Sequence, residues 1–79
     1  MPKTIFSKDQ ERLLKLLRDA REKAGVTQVE LAAKLGVPQS FVSKVESGER
    51  RVDLIELQAI CKAMGISLTE FVGEFEHSR

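Results

Sequence analysis

Seventy-nine residues, 42% hydrophobic and 32% charged, suit one small domain with a single core and fall outside the apolar-poor composition of disordered chains. Tryptophan and tyrosine are absent and phenylalanine occurs four times, which disfavours recognition by stacking on single-stranded bases. The net charge is +1, but residues 1–51 carry 11 basic and 7 acidic side chains (net +4) while residues 52–79 carry 2 basic and 5 acidic (net −3), so the first two-thirds is the side for an anionic partner.

One cysteine, Cys61, and one histidine, His77, exclude an internal disulfide and a Cys/His metal cage. Apolar runs reach at most three residues, as in Ala59-Ile60-Cys61, too short for a membrane span or the apolar segment of a signal peptide. A cytoplasmic protein without metal, cofactor or small-molecule ligand is expected, and no catalytic constellation is present: the carboxylates lack a histidine, metal partner or glycine-rich phosphate loop at an interpretable spacing.

In chain order, a first helix at about 8–24 opens on Ser7 with Gln10 and stops at Gly25. Thr27 with Glu30 opens a second at about 28–35, which stops at Gly36. A third, at about 38–46, holds Pro38 in its first turn and ends before Gly48. Asp53 with Glu56 opens a fourth at about 54–64, stopped by Gly65, and Ser67 with Glu70 opens a fifth at about 68–74. Each of the four start signals places a short oxygen-bearing side chain three residues before Glu or Gln, so that each can satisfy backbone N–H groups left unpaired in a first helical turn. Apolar residues repeat at the helical period: Leu13, Leu17, Ala20 and Ala24; Leu31, Ala32 and Leu35; Val42 and Val45; Leu57, Ile60, Cys61 and Met64. This predicts an all-α, compact five-helix bundle in one domain over residues 1–79, with a core of about 8–75 and fraying at Met1–Ile5 and Glu76–Arg79. Cys61 reads as a small core hydrophobe and His77 as a disordered tail residue.

The stretch from Thr27 to Glu46 is a helix-turn-helix pattern. Ala32 is small where a second helix crosses closely, Gly36 permits the sharp turn, Val37 plugs the turn into the core, and Val42 and Val45 bury the back of the third helix. The opposite face of that helix is left open. Thr27-Gln28 at a helix start, Gly36 nine residues after Thr27, Glu46-Ser47-Gly48 and the closing Gly65-Ile66-Ser67-Leu68 together resemble the Cro and phage-repressor helix-turn-helix family, also called the XRE family, over roughly residues 13–72.

The resemblance implies a lambda-repressor-like DNA-binding domain, a transcriptional regulator that reads the major groove of double-stranded DNA with the third helix. It places Gln39, Ser40, Phe41, Ser43 and Lys44 toward base edges: Gln39 suits adenine N6 and N7, Lys44 suits guanine O6 and N7, and the serines suit either. Phe41 departs from the usual small or polar residue and reads either as an apolar contact to thymine methyls or sugar, or as a packing residue. Thr27, Gln28, Ser47, Arg50 and Arg51 are the implied phosphate contacts, with a solvated loop as the alternative for the two arginines. Arg21 and Glu46 resemble a buried ion pair of the family, against the reading of two surface charges. One such module makes few base contacts, so a homodimer on a pseudo-palindromic operator is expected. Phe71, Val72 and Phe75, apolar in an acidic region, are the expected interface, with help from Ile5 and Phe6. The competing reading, prompted by the low net charge, is a protein-interaction module on the same fold.

Overall fold

The computed structural model describes residues 8–77. They form five helices, α1 (Lys8–Lys23), α2 (Gln28–Leu35), α3 (Gln39–Ser47), α4 (Leu54–Ala63) and α5 (Leu68–His77), with no strand among the described residues. Three capping boxes form as the sequence predicts. The Thr27 Oγ1 accepts from the Glu30 N–H at 3.1 Å while the Glu30 carboxylate accepts from the Thr27 N–H at 2.9 Å. Asp53 with Glu56 repeats this at 2.7 and 3.1 Å, and Ser67 with Glu70 at 3.0 and 3.2 Å. Ser7 of the fourth box lies outside the described residues, as do Ile5 and Phe6.

The turn between α2 and α3 depends on Gly36, whose φ of 71° is left-handed. This conformation brings the Val37 N–H onto the Ala32 carbonyl at 3.0 Å and swings Val37 against the core. Gly48 closes α3 with φ 85°, and a Cβ there would sit 3.1 Å from Leu14 Cδ1 on α1, so conformation and space both call for glycine. Pro38 stands one residue before α3 as its N-cap, with φ −65° and ψ 154°, instead of inside the first turn: its extended ψ ends the turn, and helical geometry begins at Gln39.

Leu17 of α1, Leu31 and Ala32 of α2, Val42 and Val45 of α3, Ile60 and Cys61 of α4, Met64 at its C-cap and Phe71 of α5 make one buried cluster. Cys61 is fully enclosed, and burial pushes its thiol pKa up, which leaves it a core hydrophobe.

Two features of α5 correct the sequence reading. Phe71, expected in a dimer interface, is 0% exposed and is the largest fully buried side chain; it is the C-terminal plug of the core and has no surface to offer a partner. The helix also runs three residues past the expected end, to His77. Arg12 of α1 donates to the Phe75 carbonyl and lays its guanidinium 4.0 Å from the centroid of the Phe75 ring, which ties the last turn of α5 to α1. Glu76 and His77 are therefore helical, and His77 borders a groove between α1 and α5 with Leu16 and Ala20.

Replacing Phe71 by Ala is expected to cost about 3–5 kcal/mol, a large part of the stability of so small a domain. Val72→Ala, at a site 40% exposed, is expected to cost about 0.5 kcal/mol or less. Urea unfolding with an unchanged slope checks both.

Candidate nucleic-acid interface

The helix-turn-helix is organised around two charges held out of water. Arg21 Nε donates to Glu46 Oε2 at 2.6 Å and Arg21 Nη2 to Glu46 Oε1 at 3.2 Å, a two-pronged pair joining α1 to the last turn of α3. Both residues are buried. The third arm of the guanidinium, Nη1, donates to the Val26 carbonyl at 2.8 Å and so holds the turn between α1 and α2. The structure therefore shows the enclosed pair, and not the alternative of two surface charges, with each guanidinium nitrogen donating one hydrogen bond.

Gln28, in the first turn of α2, extends this cluster toward the surface. Its Nε2 donates to Glu46 Oε1 at 2.9 Å, and its Oε1 faces Gln39 Nε2 at 3.5 Å. A chain of polar groups thus runs from the buried pair to the first residue of α3. Read from the sequence as a phosphate contact, Gln28 also has this tertiary role, which no local spacing reveals because its partners lie 11 and 18 residues away.

On α3 itself the faces separate cleanly. Val42, Val45 and Glu46 are buried, whereas Gln39, Ser40, Lys44 and Ser47 are exposed and Ser43 is half-buried. The Ser43 and Ser47 hydroxyls donate back to the Ser40 and Lys44 carbonyls at 3.3 and 3.2 Å, which leaves their oxygens able to accept. The structure thus gathers Gln39, Ser40, Ser43 and Lys44 on one polar, outward surface. Phe41 does not join them. Its ring packs on the core cluster and borders a small cavity with Leu35, Val37, Ala59 and Ile60, so the packing alternative describes its position.

Arg50 and Arg51 follow α3 in the loop to α4. The Arg50 guanidinium lies 4.3 Å from the Phe41 ring centroid, grips the Glu56 carboxylate at 3.1 and 2.9 Å and donates to the Arg51 carbonyl at 2.8 Å. Its charge is thereby shared with an acid of α4, a link that sequence reading missed because Glu56 was already spoken for as a capping residue. Arg51 is exposed, as is Thr27 at the N-terminus of α2. The Glu56 carboxyl is held below its usual pKa by Arg50 first and by the Asp53 N–H second, and the arginine is raised in turn. Glu30 is lowered by the backbone and side chain of Thr27.

Comparison with known proteins agrees with this architecture. The helix-turn-helix family matches residues 17–71. Control protein C.MunI from a Mycoplasma species is 32% identical over 62 residues, 78% of this chain and 84% of that protein. An XRE-family like protein from Pseudomonas syringae pv. tomato superposes with a TM-score of 0.88 at 47% identity, covering 96% of this chain and 93% of that one. The clp gene regulator ClgR from C. glutamicum superposes with a TM-score of 0.77 at 32% identity, covering 90% and 91%.

The lowered Glu56 pKa carries a sign. A carboxyl whose folded value lies below its unfolded value adds stability above the unfolded pKa, and that stability is lost as pH falls through the folded one. Glu56→Gln is expected to be less stable than wild type at pH 7, with the two converging as pH drops below the ordinary 4.5; chemical unfolding across pH 3 to 7, a range set by carboxylate titration, checks this.

Proposed function

The chain belongs to the XRE-type helix-turn-helix family of DNA-binding transcriptional regulators, and we propose that it reads a specific double-stranded operator by laying α3 in the major groove. The observation that supports this best is the division of α3 into a locked inner face and an outer row of Gln39, Ser40, Ser43 and Lys44. Those side chains have the donors and acceptors that base edges require, and a rigid backing that holds them in register. Thr27 and Gln28 at the N-terminus of α2, with Ser47 at the end of α3 and Arg50 and Arg51 beyond it, are the phosphate contacts that set the docking position. Phe41 supports the Arg50 side of this clamp. Such a regulator works in the cytoplasm, where the operator is.

One module of this size offers few base contacts, so tight operator binding calls for two, set on half-sites about 34 Å apart. With Phe71 in the core, the two-fold contact moves to other apolar surface. Leu54 is 63% and Ile55 72% exposed, adjacent to each other at the start of α4. They follow directly on the loop that leaves α3, so a second copy seated there brings the two α3 helices side by side on one pseudo-palindromic operator. Val72 and Phe75, on α5, keep at most a peripheral part.

Gln39→Ala and Lys44→Ala are each expected to lose about 1–3 kcal/mol on a selected site in an anisotropy titration, whereas Arg51→Ala weakens all sequences alike and flattens the salt dependence. Unchanged operator affinity in the Gln39→Ala, Lys44→Ala double variant would overturn this function, and failure to bind random duplex at low salt would favour a protein-interaction module. Sedimentation equilibrium of Leu54→Ser with Ile55→Ser is expected to give the 8.9 kDa monomer; an unchanged dimer would remove the interface.

A further inference from the structure

We propose that Glu56 is a determinant of DNA affinity: its carboxylate occupies the Arg50 guanidinium as a backbone phosphate would, and so competes with the duplex for that side chain. The inference rests on the DNA-reading function above and concerns how tightly any duplex is held. Arg50 is tied to the reading helix, because its backbone N–H donates to the Lys44 carbonyl at 3.0 Å. Its side chain is held from three directions. Nη1 and Nη2 donate to the two Glu56 oxygens at 3.1 and 2.9 Å, Nη1 donates again to the Arg51 carbonyl at 2.8 Å, and the guanidinium carbon lies 4.3 Å from the centroid of the Phe41 ring. A carboxylate and a phosphate offer the same pair of anionic oxygens to that fork, so only one of them can fill it at a time.

The pair stands where a duplex can reach it, with the Arg50 side chain 40% and the Glu56 side chain 30% exposed. In this it differs from Arg21–Glu46, which is buried. The Nε–H of Arg50 and one N–H of Nη2 are not used by Glu56 or Arg51. A phosphate placed on that edge would share one cation with a carboxylate, and the two anions repel. To lend a phosphate its full charge, Arg50 has to leave Glu56, and the two bonds lost offset much of what the new contact contributes. The charge on Glu56 is not needed for its other task. Its Oε1 accepts from the Asp53 N–H at 3.1 Å, and a glutamine oxygen serves equally well in a capping box. What the charge adds is a hold on Arg50, and a cation paired inside the protein contributes little to counterion release.

The test titrates a labelled random duplex with the full chain at several salt concentrations and neutral pH, reading anisotropy. Glu56→Gln keeps the cap and removes the charge. It is expected to bind roughly three- to tenfold more tightly than wild type, and its plot of log affinity against log salt is expected to steepen by about 0.9, the value of one further phosphate contact. Repulsion acting through space would also raise affinity, so the same change is made in the Arg50→Gln background, where Glu56 has no guanidinium to hold. There the gain is expected to stay below about twofold, since salt screens what remains. An unchanged or weaker affinity in Glu56→Gln, or an equal gain with and without Arg50, would overturn the proposal and leave Glu56 a brace for the loop, with the DNA-reading function intact. A wild type and a Glu56→Gln variant that both fail to bind duplex at low salt would instead overturn the DNA-reading function, and this inference with it.

Discussion

The arrangement of this small bundle turns on the Arg21–Glu46 ion pair. Removing two charges from water costs more than their attraction alone returns unless every donor and acceptor is met, so such a pair is weak as a source of stability and strong as a geometric constraint. Here the bonds leave in different directions: to α3 through two guanidinium nitrogens, to the turn between α1 and α2 through the Val26 carbonyl, and to α2 through Gln28. An oily contact of the same area would tolerate sliding and rotation of α3 by a fraction of a turn. The forked pair does not, and a helix that must present individual atoms to base edges needs that register more than it needs added stability.

The helix starts were legible in the sequence because capping is local. Thr27 and Glu30, Asp53 and Glu56, Ser67 and Glu70 find each other within one turn, and no distant contact has to be known. The left-handed glycine stops and the inward faces of α2, α3 and α4 were legible for the same reason. What was misread depends on partners far along the chain. Phe71, Val72 and Phe75 look alike as apolar residues of a short acidic helix, and only the packing of α5 against α1 and α4 sorts them. Phe71 takes the enclosed position, Val72 is left outside, and Phe75 is covered by Arg12, 63 residues earlier. That same long-range contact carries α5 to His77, where composition alone suggested a frayed end.

The outward row of α3 was legible in identity but not in support. Period and polarity picked out Gln39, Ser40, Ser43 and Lys44, since Val42 and Val45 define the inward side. Phe41 was left between two readings because residues one apart on a helix differ in direction by about 100°, and the open question was whether anything stood beside it. Arg50 does, and the stacked guanidinium with Glu56 behind it turns Phe41 into part of the loop's support.

These internal pairings also change what the near-zero net charge means for DNA binding. Two acids close to the reading face are engaged: Glu46 with Arg21, and Glu56 with Arg50 and the Asp53 cap. They therefore contribute less repulsion toward a phosphate backbone than a count of carboxylates suggests. The pairing also acts on the cations, because Arg50 shares its charge with Glu56 and Arg21 is enclosed. Counterion release grows with the number of phosphates neutralised, so cations held in internal pairs add less to non-specific binding than their number suggests. What the fold does supply is a polar outer row on α3 backed from behind by the Arg21–Glu46 pair and Gln28.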